Sequence, residues 1–385
     1  MIYLDNNATT KPAPEAIDAV LKYMNERWFN PSSPYAPAEE AKRDLEEFRA
    51  TVAGLLSCEP EEIIFTSGGT ESDNAAIKGY AFANMDKGKH IITSQIEHKA
   101  VLGPLRWLEN AMGFEITHLP VDSRGIVILE ELERAIRPDT ILVSVMSANN
   151  ETGVIQPIEE IVRIAHEKGV AVHTDAVQSV GKVPVDIKSW GVDLLSASGH
   201  KFHGPRGVGF LFKRKGLKIT ALIQGGGHER KMRSGTENLA GIAGMTKALE
   251  IAVSGLHEYQ AKVSALRDAL ERGITERIPE VIVNGAGAPR VPNTLSVSVK
   301  YVEGESMLLW LSDEGIYVSS GSACTSGSLE PSHVLLAMGL DHATAHGSLR
   351  FSFSRYNTME DVERVLEVLP GVVERLRAIS PFGKK

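Results

Sequence analysis

Residues 196–209 read SASGHKFHGPRGVG and lie between two apolar runs of strand length. Lys201 stands in this segment with Ser198 and His200 beside it, among glycines whose bare backbone lets a ligand come close. A lysine amine held out of water loses its proton more easily than a surface lysine and can attack a carbonyl to form a Schiff base. The bland reading of the same residues is a tight turn carrying a solvated lysine. Asp175 follows the run VAVHT, at a strand's carboxyl end, where open parallel sheets place their ligands. A carboxylate there can be a plain helix N-cap. The turn Ser67-Gly68-Gly69-Thr70 lies between a strand-like run and a helix-like one, so its N–H groups and hydroxyl could cradle a phosphate at the positive end of a helix dipole. Ser198 and His200 could add donors to that phosphate.

A Schiff-base lysine, an acid for a pyridine nitrogen and a phosphate cradle are the three things pyridoxal phosphate chemistry asks of a protein. Asp175 precedes Lys201 by about two dozen residues with a strand between them, which suits that pairing. His98, in QIEHK, follows another strand and would stand over a ligand at the sheet's edge, able to stack on a ring and shuttle protons. His200 and His203 could instead suggest a metal, but no Cys or third His has the spacing of a zinc site. Cys324 lies in SSGSACTSG, a run too polar for a core strand, where an accessible thiol can be a nucleophile. Cys58, at the end of the helical run VAGLLSC, reads as an inert apolar group.

The elements that must hold these groups read as α/β. Strand-like runs at 62–66, 90–94, 140–146, 170–174, 192–196 and 207–212 alternate with helix-like stretches at 71–83 and 157–168. Their continuous apolar character predicts strands covered on both faces. A long helix is expected over roughly 236–275, then short β-branched runs and helices at 304–314 and 361–377, which read as a smaller α+β domain. With 385 residues, 43% hydrophobic and 23% charged, the chain is expected to form two globular domains. A formal net charge of -8 argues against nucleic acid and anionic lipid as partners. Two distant cysteines exclude a disulfide framework within the chain, and no signal peptide or membrane span is read.

Taken in order, LDNNATT, SGGTESDN, the Glu97-His98 pair, ANNETG, HTDAVQ, SGHKFHGPRG, RSGTEN and SSGSACTSG resemble the cysteine desulfurases of the NifS/IscS type, over nearly the whole chain. The resemblance implies fold type I of the pyridoxal-phosphate enzymes: a large domain with a mostly parallel seven-stranded sheet, expected at 15–255, and a small domain from 1–14 and 256–385. It implies Lys201 as the Schiff-base lysine, Asp175 as partner of the pyridine nitrogen, Gln178 as donor to the ring hydroxyl, and His98 as the group that stacks on the ring and moves protons. Gly69, Thr70, Ser198 and His200 would hold the phosphate, and Thr236 would reach the phosphate of the other subunit in a homodimer. Asn150 and Arg350, with Asn7 assisting, would orient the substrate amino acid, Arg350 forking onto its carboxylate.

The implied reaction converts L-cysteine to L-alanine and leaves a persulfide on Cys324, for transfer to an acceptor such as an iron–sulfur scaffold. Cys324 could also serve as a transient ligand of a nascent cluster; no resident metal is expected. The composition, with no signal peptide or span read, is that of an ordinary cytosolic enzyme, so a cytoplasmic location is expected. Other fold type I enzymes, namely a transaminase, a selenocysteine lyase or a β-lyase, stay as alternatives, as does a non-catalytic sulfur carrier. Two departures stand out: the chain stops at PFGKK without a longer tail, and Gly69 replaces an alanine of some members, a change expected to be silent.

Overall fold

Apolar runs that enter two cores at once build one central sheet in the computed structural model, which describes residues 1–320 and 330–379. The chain begins with β1 (Ile2–Tyr3), α1 (Pro14–Asn25) and α2 (Ala36–Leu55). Strands and helices then alternate through β2 (Ile63–Thr66), α3 (Gly69–Asn84), β3 (His90–Ser94), α4 (Lys99–Met112), β4 (Glu115–Leu119), α5 (Leu129–Ala135), β5 (Thr140–Ser144), α6 (Ile158–Glu167) and β6 (Ala171–Asp175). A short α7 (Ile187–Trp190) leads to β7 (Leu194–Ser198) and β8 (Gly209–Lys213). These strands form a seven-stranded sheet in the order β2-β8-β7-β6-β5-β3-β4. β8 is antiparallel to both its neighbours and every other pair is parallel.

Successive residues of each central strand face opposite ways. Ile92, Val143, Val172 and Leu195 enter one hydrophobic cluster, while their neighbours Ile91, Leu142, Ala171 and Leu194 enter the other. That two-sided burial is why the runs are continuously apolar.

The expected single helix over 236–275 is instead two: α8 (Leu239–Ser254) and α9 (Leu256–Arg277), set at 74° to each other. Gly255 makes the break, closing α8 with its N–H on Ile251 and opening α9; Asn238 caps the start of α8 through Gly241 N–H. Glycine is a poor helix former, and here the chain turns on it. Among the described residues no single helix is long and apolar enough to cross a membrane, and α8 with α9 would pass only as this bent pair.

Then come β9 (Val281–Val283), β10 (Thr294–Val299), α10 (Gly304–Asp313), β11 (Ile316–Tyr317), α11 (His333–Ala337), α12 (His342–His346), β12 (Ser348–Ser352) and α13 (Met359–Ile379). β12, β10 and β9 form an antiparallel sheet, and β11 pairs in parallel with β1 from the other end of the chain. A separate core gathers Leu4, Leu266, Val297, Phe351 and Leu369. Val334, Leu335 and Ala345 of α11 and α12 pack into the large core instead.

Candidate active site

The parallel strands of the sheet deliver their polar ends to one place. Asp175 is the last residue of β6 and Ser198 the last of β7; Lys201 ends the single 3₁₀ turn that follows β7. His98 is the N-cap of α4 just after β3, and Gly69 and Thr70 open α3 after β2. These residues, with Asn7, Asn150, Gln178, His200 and Arg350, line a cavity of about 320 Å³. A larger cavity, about 750 Å³ between α6, α7 and α9, contains none of the residues expected to do chemistry.

Lys201 Nζ donates to the main-chain oxygens of Asn7 at 2.6 Å and Ala8 at 2.9 Å. Asp175 Oδ1 accepts from Val177 N–H at 2.9 Å; burial raises the pKa of this carboxyl, while His98 and Lys201 oppose the rise. His98 Nδ1 accepts from Ala100 N–H at 3.1 Å. Burial lowers the pKa of His98, so the neutral ring predominates, and with Nδ1 engaged as acceptor its proton belongs on Nε2. His200 is pushed down to about 4, first by burial and then by Lys201, and its Nδ1 lies 3.1 Å from Thr9 Oγ1. It is a neutral donor or acceptor here.

The turn before α3 is an uncapped helix N-terminus. Gly68 is the N-cap, no side chain caps the helix, and its φ of 146° lies where only glycine is at ease. First-turn N–H groups of this 16-residue helix are thereby left to an anion. The expectation that alanine would serve equally at position 69 is corrected: a Cβ there would fall 2.7 Å from Val177 Cγ2. Glycine is needed at 69 because a branched side chain stands at 177.

Arg350, on β12, is buried and held from both sides. Nη2 pairs with Asp5 Oδ1 at 2.7 Å, Nη1 donates to Asn150 O at 2.9 Å, and Nε is buried without a partner among the described residues. Asn7 bridges the two cores at the same spot, its amide donating to Thr294 Oγ1 at 2.8 Å and Asn150 O at 3.2 Å.

Thr236 is not brought to this cavity within its own chain; it lines a smaller one, about 110 Å³, with Ser67, Arg233 and Asn238. Cys324 lies outside the described residues. The flanks of its segment attach beside the site: Ser319 and Arg350 exchange main-chain hydrogen bonds, Ser332 Oγ donates to Glu151 Oε2, and His333 Nε2 lies 3.0 Å from Glu97 O.

Sequence reasoning missed three charged groups here. Asp5 pairs with Arg350, and Lys182 lies behind Gln178. Asp73 is fully buried and, among the described residues, no partner makes a well-formed hydrogen bond to its carboxylate, His173 Nε2 being 3.5 Å away; burial, with Asp175 adding repulsion, raises its pKa strongly, against a weaker opposing pull from Ser196. Helical spacing could have found only Asp73, which follows Thr70 by three residues on α3; Lys182 lies in a turn, where that rule gives no signal.

The aminotransferase class-V family matches residues 2–365. The cysteine desulfurase IscS of Methanosarcina thermophila is 54% identical over 384 residues, covering 100% of this chain and 95% of the relative. That of Dictyoglomus turgidum is 51% identical over 384 residues, with 100% and 97% covered. Among solved structures, a NifS-like protein superposes with a TM-score of 0.91 at 42% identity, over 97% of this chain and 100% of its own.

Proposed function

The chain belongs to the aminotransferase class-V family and is a cysteine desulfurase of the NifS/IscS type, and from that premise we propose the roles of its residues. The observation that carries the assignment is the meeting of Lys201, Asp175 and the uncapped start of α3 in one cavity. This donor set fits pyridoxal 5′-phosphate. Lys201 offers an amine to the aldehyde, Asp175 an anion to the ring nitrogen, and the N–H groups of α3 with Thr70, Ser198 and His200 offer donors to the phosphate. In a homodimer Thr236 would reach the other subunit's site and complete its cradle. Bound there, the cofactor supplies an electron sink for the substrate's bonding electrons.

The protein's own groups do the rest. Arg350 spends one proton of Nη1 on Asn150 O and one of Nη2 on Asp5, so the second proton of each is left for the substrate carboxylate, while Asn150 and Asn7 set the depth of the amino acid. His98 keeps a proton on Nε2 because Ala100 occupies Nδ1, and this is the proton it can pass to or take from substrate. Cys324, as thiolate, attacks the sulfur of L-cysteine; the S–S bond forms, the Cβ–S bond breaks, and its electrons return to carbon, which takes up a proton. The net change is thiol plus L-cysteine to persulfide plus L-alanine, with no external reductant. The persulfide then passes to an acceptor such as an iron–sulfur scaffold. A division into 15–255 and 1–14 with 256–385 follows the separate core of Leu4, Leu266, Val297, Phe351 and Leu369, except that α11 and α12 pack against the large domain, and the cytoplasm suits a thiol kept reduced.

Product analysis tests this reading. Wild-type protein should yield alanine and persulfide in equal amounts, Cys324→Ser should lose both while retaining cofactor absorbance, and Lys201→Ala should lose covalent cofactor. Pyruvate and ammonia, or a keto acid formed with transfer of the amino group, would assign the chain to β-elimination or transamination instead.

A further inference from the structure

Lys182 is an anomaly. It lies in the turn after β6, is 2% exposed, and no carboxylate pairs with it among the described residues. Burial pushes its pKa well below the ordinary lysine value, and the charges of Lys201 and Arg350 push the same way. Burying an amine among neutral groups is unfavourable, so a lysine with no other task would be a poor choice here.

Its contacts give it a task. Nζ donates to Gln178 Oε1 at 2.5 Å and to Asn7 Oδ1 at 3.1 Å. Both acceptors are amide oxygens, and the amine has the two protons they need whether it is charged or neutral. An amide whose oxygen is taken must turn its NH₂ the other way. Gln178 Nε2 accordingly donates to Asn7 O at 3.2 Å, the same oxygen that receives Lys201 Nζ, and Asn7 Nδ2 donates to Thr294 and Asn150.

We propose that Lys182 is a positioning residue, whose two hydrogen bonds fix the amide of Gln178 with its NH₂ toward the Lys201 cavity and the amide of Asn7 with its NH₂ on Thr294 and Asn150. It thereby determines that Gln178 presents a donor, not an acceptor, to the cofactor's ring hydroxyl. The inference rests on the cofactor reading above and adds to it the group that enforces it.

A double-mutant cycle on the holoenzyme tests the coupling. Lys182→Met should weaken cofactor affinity about tenfold, the scale of one lost hydrogen bond, and displace the absorbance maximum of the bound cofactor. Gln178→Ala should do the same, and Lys182→Met in the Gln178→Ala background should add little. A full additional loss in that background, or a Lys182→Met protein with lowered thermal midpoint but wild-type cofactor affinity and spectrum, would overturn the proposal. Gln178→Glu covers the case in which Lys182→Met does not fold. A carboxylate at 178 pairs with Lys182 and withdraws the donor, so the thermal midpoint should hold while the spectrum moves; a falling midpoint with an unmoved spectrum counts against the role. Lys201→Ala separates the two levels: if it bound cofactor with an unchanged spectrum, the site reading itself would fail, whatever Lys182 does.

Discussion

A methyl group at position 69 would lie 2.7 Å from Val177 Cγ2, closer than carbon atoms approach without something moving. Val177 is short and branched, and its own N–H is tied to Asp175, so the strain of an alanine at 69 would pass into the phosphate turn and the ring-nitrogen partner together. Overpacking of this kind costs about 1–3 kcal/mol. Gly69→Ala should therefore raise the cofactor dissociation constant roughly tenfold or more, and Val177→Ala added to it should restore most of the loss; equal affinities in all three proteins would refute the steric coupling. Single residues were legible in the sequence where one side chain implied a chemistry, as with Lys201, Asp175 and His98. Asp5 and Lys182 were not, because their meaning comes from partners distant in the chain: Asp5 gains its role from Arg350 on β12, and Lys182 from an asparagine near the N-terminus.

Elements carry a different constraint, seen in the segment between β8 and α8. Glu229, Arg230 and Lys231 take φ values of 43°, 53° and 68°, left-handed backbone that non-glycine residues adopt at a cost. Glu229 secures it, accepting from both Nη atoms of buried Arg49 on α2, at 2.7 and 2.9 Å, and from Phe65 N–H on β2. The pin holds the loop bearing Thr236. Glu229→Ala would leave buried Arg49 with only the half-exposed Glu46, 3.3 Å from its Nε, to balance its charge. The loss approaches that of a broken buried pair, about 3–5 kcal/mol. A thermal midpoint lower by on the order of 10 °C is expected, with cofactor retention falling as the Thr236 loop loosens. Arg49→Met combined with Glu229→Gln should recover much of the midpoint, and a single variant as stable as wild type would show the pin to be idle. Periodicity revealed the central strands because both their faces are covered. It overlooked β4, an edge strand of mixed exposure, and joined α8 to α9 because the sequence there stays helix-forming on both sides of Gly255.

At the scale of the whole molecule, the site exists only because the first ten residues cross between two cores. β1 pairs with β11 and Leu4 sits in the small core, yet Thr10 N–H reaches His200 O beside Lys201. Asn7 is the narrowest point of this crossing. Its side chain accepts from Lys182 and Asn293 and donates to Thr294 and Asn150, so one amide ties the β6 turn, the loop after β5 and β10 together. Asn7→Ala removes those bonds at once and leaves several buried polar groups short of a partner, each at about 1–3 kcal/mol. The two cores should then lose their fixed relation while each keeps its own packing. Scanning calorimetry of the holoenzyme should accordingly show a broadened or divided transition in place of one. Because Arg350 rides on the small core and Lys201 on the large one, KM for L-cysteine should rise more than cofactor affinity falls. A single sharp transition at the wild-type midpoint with unchanged KM would mean that other contacts, such as Asp5 with Arg350, suffice to hold the halves in register.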